Sequence, residues 1–372
     1  MKPGLKLIIC NFSVILILTG SSTICSQVLD DTLTVQRIRT GIASIYNLEY
    51  KEAETVYDEI TTLYPEHAVG YLFRGILTYW RHYPLIPSSP ARKDFESDLK
   101  KCIELSEQNS YVADYEPESV LANVCARGML LLFYADNDLS MNVIPLAAGS
   151  YRYVRRSFDF VSHFSDFYYF TGIYNYYREA YPRLHPVYKA LAALFPPGDM
   201  TKGLSELVKS ANESIFLKAE SYSILAWIYT VFENNYSEAL RYSTILTSLH
   251  PDNLLFRSLH IKTLLLLNLY SEAELVINKP VRDSSNRYYN SQLIIFNGLL
   301  QEKKYKNYDL AKDKYEEGII AMSHFGAFGN EFSAYAYYGL SRISNHQGDK
   351  TGKQAFRRKG NELADNKKIN FD

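Results

Sequence analysis

Tyr236-Ser237-Glu238-Ala239 recurs as Tyr270-Ser271-Glu272-Ala273, and residues 236 and 270 are 34 apart. A self-copy at that interval marks a repeat made of one pair of antiparallel helices. Each copy opens a helix and puts a small residue, Ala239 or Ala273, where two helix backbones must come close. The spacing returns further out. Pro251 follows Ala239 by twelve residues, and Pro65 follows Ala53 by twelve. A proline cannot donate inside a helix, so each closes its unit. Gly41 and Gly75 are again 34 apart, and Ala311 and Tyr315 keep the spacing of Ala53 and Tyr57.

Between these markers the apolar residues fall at helical intervals, as in Val35, Ile38, Ile42 and Ile45. The pattern predicts an all-α chain, an irregular α-solenoid of about eight antiparallel helix pairs. Two or three pairs are expected to be regular and the rest to carry insertions; the later pairs are expected at 219–232 with 236–249, 254–267 with 271–278, 287–302 with 308–323, and 331–344 with 351–364. Insertions are expected between 84 and 165, where Pro84, Pro87 and Pro90 interrupt the second repeat, with helices near 91–105 and 118–134 inside them. A helix over 167–178 is strongly aromatic, and Tyr181-Pro182 and His185-Pro186 are expected to break or kink it. Asp199 or Thr201 is placed to cap a helix over 202–214.

The chain resembles the tetratricopeptide-repeat family at specific positions. Gly41 stands at the small residue of the first helix, Ala53 at the helix crossing, Tyr57 at the aromatic after it and Pro65 at the closing proline. Ala239, Pro251, Ala273 and Ala311 repeat the same roles, whereas Ser44 stands where the family usually has Tyr. The segment 170–211, with its aromatic helix, Gly-Asp turn and Gly203-Leu204, is similar to a group of poorly characterised tetratricopeptide-like proteins of bacteria with distant eukaryotic relatives. The resemblance implies that the first helix of each pair lines a concave groove and that the groove binds partner polypeptides.

With 372 residues, the chain is too long for one compact core. Its 40 basic and 41 acidic residues nearly cancel, which gives no support for a nucleic-acid or anionic-membrane partner. The basic run in the last helix (Lys353, Arg357, Arg358, Lys359) is what the outward face of a terminal repeat requires. The 32 tyrosines are the compositional anomaly. A tyrosine buries its ring and keeps a polar tip, which suits both interhelical packing and binding surfaces.

Lys2 and Lys6 precede an apolar run over 7–18 that is too short to span a bilayer, followed by small polar residues. This is the layout of a secretory signal peptide over 1–26, with the mature domain over 27–372. A cut after Ser26 leaves Gln27 first; a cut before Cys25 would leave a lipid anchor there, although Ile24 is an unusual residue before such a cysteine. The expected location is the periplasm or the periplasmic face of the outer membrane, or secretion in a eukaryote. No later stretch reads as a transmembrane span. Cys102 and Cys125 are either one disulfide or two small buried side chains on neighbouring helices.

No catalytic constellation is legible. The eight histidines are scattered without a second ligand at helical spacing, and there is no phosphate loop, dinucleotide turn or nucleophile elbow. No metal, no cofactor and no enzymatic activity are expected. The candidate binding residues lie on the aromatic helix. Tyr169, Ile173, Tyr176 and Tyr177 share one face at i, i+4, i+7 and i+8, beside Arg178 and followed by His185. Such a stripe either binds a ligand or packs under neighbouring helices. The reading that follows is a non-enzymatic interaction scaffold of the cell envelope. The alternative is an envelope protein that recognises a small ligand or glycan through exposed tyrosines.

Overall fold

Short polar side chains set the start of many helices. Asp31, Asp199 and Asp349, with Asn235, Asn253, Asn286 and Asn307, each accept a backbone N–H from the first turn that follows them. The computed structural model describes residues 27–109, 116–186 and 189–372, and among these there are α-helices and no β-strand. The signal segment 1–26, Cys25 included, lies outside the described residues.

In chain order the helices are α1 (Thr32–Tyr46), α2 (Tyr50–Leu63), α3 (Ala68–Arg81), α4 (Arg92–Asn109), α5 (Glu116–Asp136) and α6 (Ser140–Phe160). Then come α7 (Phe167–Leu184), the single turn α8 (Lys189–Ala192), α9 (Met200–Glu213), α10 (Lys218–Val231), α11 (Tyr236–Leu249) and α12 (Leu254–Leu266). The last are α13 (Tyr270–Asn278), α14 (Arg287–Lys303), α15 (Tyr308–Met322), α16 (Asn330–His346) and α17 (Lys350–Leu363), with a 3-10 segment, Ser323–Gly329, before α16.

They pack in sequence order as eight pairs, from α1 with α2 to α16 with α17, with α7 paired to α9 across the short turn. The chain is thus the all-α solenoid that its repeats predict. Residues 84–165, where insertions were expected, hold α4, α5 and α6, each packed on the helix before it. One expectation is corrected. Tyr181-Pro182 does not interrupt the aromatic helix, because α7 runs through Pro182 and ends two residues later, with His185 as its C-cap. The proline takes its toll at the helix end, where few bonds remain to be lost.

The small residues do what close crossings need. Ala53, Ala239, Ala273 and Ala311 have no exposed surface. A Cβ on Gly41 would lie 2.5 Å from the Phe73 ring. Tyr57 accepts a hydrogen bond from Arg74 at 2.9 Å, and Pro65 and Pro251 lie in the turns that follow α2 and α11. Helix α5 is long and apolar enough to cross a membrane by length and composition, yet most of it is buried in the protein. Its Arg127 stays inside by donating to Asn123 and Glu107, both at 2.8 Å. Cys102 and Cys125 are free thiols; Cys102 is buried and points its sulfur at the Ala122 carbonyl.

The first helices of successive pairs touch one another: α1, α3 and α5 in one run, and α10, α12, α14 and α16 in another. The second helices make no comparable contact. First helices therefore line the inside of the curve. The curve is tight enough for the two runs to meet. The N-cap Asn253 of α12 gives its Oδ1 to its own helix and its Nδ2 to the Tyr46 carbonyl at the end of α1, 3.1 Å away. The N-cap Asn286 of α14 does the same with the Tyr83 carbonyl after α3, at 3.2 Å. Aromatic rings fill the seam: Tyr46 lies 5.7 Å from Phe256, Trp80 5.9 Å from Phe256, and Tyr83 6.1 Å from both Tyr288 and Phe328.

Asn253→Ala removes a helix cap and this crossing together. It should cost about 2 kcal/mol, and Asn253→Ser, which keeps an uncharged capping oxygen, should recover part of the loss. Thermal denaturation followed by helical circular dichroism reads both; equal midpoints for the alanine variant and the parent would mean that the crossing contributes nothing.

Candidate functional site

The aromatic helix α7 is held on one side by α9 and α10. Gly172 and Gly203 let the α7 and α9 backbones meet: a Cβ on Gly203 would stand 2.6 Å from the Tyr176 nitrogen and 2.8 Å from the Gly172 carbonyl. Asn175 locks the same crossing by donating to Glu206 at 2.8 Å. The residues behind the family-like signature of 170–211 are therefore mainly those of a close helix contact.

The predicted stripe faces this contact. Tyr176 is fully buried and its hydroxyl donates to Glu233. Tyr177 packs edge-on against Phe232 with ring centres 5.2 Å apart, and Tyr169 and Ile173 join the same core between α7, α9 and α10. Arg178 reaches back to the Phe195 carbonyl, at 3.1 Å from Nη2, and pairs with Glu179, whose carboxylate accepts the Gly198 N–H at 3.1 Å. With Tyr174, which donates to the Pro196 carbonyl at 2.7 Å, these side chains pin the turn that leads into α9. His185 stacks on Tyr181 with centres 4.5 Å apart. Beside Arg178 and Glu179 the surface holds an open depression of about 240 Å³ rather than an enclosed cavity. The structure thus places five of the six predicted residues on α7, with Tyr169, Ile173, Tyr176 and Tyr177 turned to packing and Arg178 to loop anchoring, and His185 just beyond it as the C-cap.

A concave groove was expected, but not the segment that lies on it. After α17 the chain turns inward. Asn366 donates to the Val231 carbonyl at the end of α10, at 2.6 Å, and Ile369 and Phe371 are buried in the core formed by α10 and α12–α16. Phe371 meets Tyr335 edge-on with centres 5.0 Å apart. Arg342 of α16 donates Nε and Nη2 to Glu302 at 2.6 and 2.8 Å, and Nη1 to the Asn370 carbonyl. Nearby, Lys262 pairs with Glu331 at 3.0 Å and lies 4.8 Å from the Trp227 ring. Asp136, at the end of α5, is pushed up to about 7 by burial and by Asp365 facing it. Among the described residues no group of three His, Cys, Asp or Glu is arranged to hold a metal ion.

A second buried polar junction lies where α1 meets α10. The Tyr46 hydroxyl donates to Glu220, the Tyr46 ring lies 5.1 Å from that of His250, and neither Glu220 Oε2 nor His250 Nδ1 has a hydrogen-bond partner. Burial pushes the Glu220 carboxyl up to about 8 and the His250 imidazole down to about 4. Asp166, at the start of α7, is buried too, and accepts the N–H groups of Ile215, Phe216 and Leu217 at 2.8–2.9 Å, which fixes the entry to α10. No motif spacing announces either group, since their partners lie far along the chain.

No model of a known protein family matches this chain, and no curated protein matches it with significance.

The Glu220–His250 junction sets a pH dependence. Glu220 holds a proton in the folded state that the unfolded chain loses from about pH 4.5, so its contribution falls as pH rises to about 8. His250 stays neutral when folded while the unfolded chain charges below pH 6.5, so its contribution falls as pH drops towards 4. The two cancel between about pH 4.5 and 6.5, leaving a decline from 6.5 to 8. Glu220→Gln should remove that decline, melting a few °C higher than the parent at pH 8 and converging with it towards pH 5. Parallel melting curves across this range would contradict the assignment.

Proposed function

We propose that this chain is a non-enzymatic scaffold with tetratricopeptide-like repeats that binds an extended polypeptide on its concave face. The observation that carries the reading is what lies on that face now. The segment 364–372, which is not helical, is held there by side-chain hydrogen bonds to backbone carbonyls at Val231 and Asn370 and by buried seats for Ile369 and Phe371. Side chains that satisfy backbone groups, with pockets for alternate residues, are the means by which proteins hold extended peptides. The glycan-binding alternative needs open aromatic faces, and Tyr176, central to the predicted stripe, has none.

A cell-envelope location supports this reading through the sequence alone: the positive n-region and short apolar run are those of an export signal. The partner would then be an envelope or secreted polypeptide, and Cys25 is the candidate lipid attachment point. The mass of the mature N-terminus tests the location, the expected result being a chain that begins at Gln27. A diacylated Cys25 would replace the soluble form with an anchored one, and an intact Met1 would overturn the export reading.

The scaffold reading is tested by affinity capture from envelope fractions with the tagged chain and its Trp227→Ala variant. Trp227 is a partly exposed ring on the inner helix α10. One polypeptide should be recovered with the parent and lost, or reduced at least tenfold, with a variant that keeps its helical content. Repeated capture without any polypeptide would count against the scaffold.

A further inference from the structure

The segment 364–372 does more than finish the last repeat. An ordinary capping segment covers the outer face of the terminal helix pair, whereas this one leaves α17 and runs over the inner helices α10 and α16. Its burial alternates. Asn366, Ile369 and Phe371 are buried, while Lys367, Lys368 and Asp372 are exposed. Two of its own turns are set by asparagine side chains, Asn366 accepting the Lys368 N–H and Asn370 the Asp372 N–H, both at 3.0 Å. The segment therefore brings its conformation with it and touches the array at a few defined points.

Those points read as a recognition site. Arg342 is a largely buried guanidinium, its side chain 15% exposed, and a charge so placed is tolerated only when its donors are used. Glu302 takes Nε and Nη2, and Glu302 is in turn fixed by the Tyr315 hydroxyl at 2.6 Å. That leaves Nη1 aimed at a backbone carbonyl, Asn370 here. Arg357 and Arg342 face the Asp372 carboxylate at 3.2 and 3.7 Å. Tyr335 receives the edge of Phe371, and the core beside it receives Ile369. The site asks for an aliphatic residue, a spacer with a free carbonyl, an aromatic residue and an acid. One contact is strained. Phe371 has φ +55°, a left-handed conformation that a bulky side chain disfavours. A peptide that presents the same groups without that turn would bind this site better than the chain's own segment does.

We propose that residues 364–372 are a tethered pseudo-ligand that closes the concave site, and that the partner is a polypeptide segment of aliphatic–spacer–aromatic–acid chemistry that displaces it. This rests on the scaffold reading and adds to it the partner's chemistry and a self-inhibited resting state. Displacement exchanges one set of contacts for an equivalent one, so the site is never left with a buried, half-paired Arg342.

The test uses the full chain and a labelled peptide with the sequence of residues 364–372, read by fluorescence anisotropy. The double substitution Ile369→Ser with Phe371→Ser empties both apolar seats and keeps every charge. The peptide should bind this variant at least tenfold more tightly than the parent. A control peptide with serine at the same two positions should bind neither, and adding Arg342→Lys should abolish the gain. Equal binding to parent and variant, or binding of the control peptide, would overturn the proposal. Should the double variant not fold, hydrogen exchange on the parent decides: amides of 369–372 should open well before those of α16, and exchange only through global unfolding would make the segment a fixed part of the core. The two readings also fail separately. Partner capture that is the same for parent and double variant would leave the scaffold standing without the pseudo-ligand. Peptide binding without any captured partner would do the reverse.

Discussion

Two asparagine side chains hold the two inner runs of this array together. Asn253 and Asn286 each cap an inner helix with the oxygen of the amide and reach across the curve with the nitrogen, to the carbonyls of Tyr46 and Tyr83. An amide is the natural choice, since it is the side chain that accepts and donates at once. Helix ends leave carbonyls unsatisfied, and these two would be closed off from water by the aromatic seam around Trp80, Phe256 and Tyr288. The crossings bring the run of α1 and α3 against the run of α12 and α14, so the two inner runs meet.

Tyrosine content follows from the same geometry. Tyr46, Tyr176, Tyr315 and Tyr335 are fully or almost fully buried, and each hydroxyl donates to a carboxylate, of Glu220, Glu233, Glu302 and Glu331 respectively. A curved array with closely spaced inner helices needs large side chains that span from one helix to the next and end in a polar group. Phenylalanine would fill the space but give up the hydroxyl that each of these carboxylates accepts.

The repeat signals were legible because they are local. Ala53, Ala239, Ala273 and Ala311 mark helix crossings at fixed offsets, and Asp199 was readable as the cap of the helix it precedes. Pro182 misled because a proline two residues from a helix end looks, in sequence, like one that breaks it. The stripe on α7 was legible as a face but not as to what it faces: the same period serves packing and binding alike. The concave site was not legible at all. Asn366 and Val231 are 135 residues apart, and Asn253 and Tyr46 are 207 apart. No periodicity reports on pairs at such distances, and the segment 364–372 carries no motif until Arg342 is seen beside it.

The crossing at Tyr46 also bears on how the chain comes to be folded. A stack of helix pairs usually grows from any point, each new pair needing only its neighbour. Here α1 is synthesised well before α12, yet the carbonyl at the end of α1 finds its partner only when a residue 207 positions later is in place. Contacts so distant in sequence are slow to form, because a long loop must be closed before they offer anything in return. The seam between the two inner runs is therefore the last surface to be hidden, and until then Trp80, Phe256 and Tyr288 form an apolar patch on a half-made protein, the feature of the chain most in need of shelter while it folds.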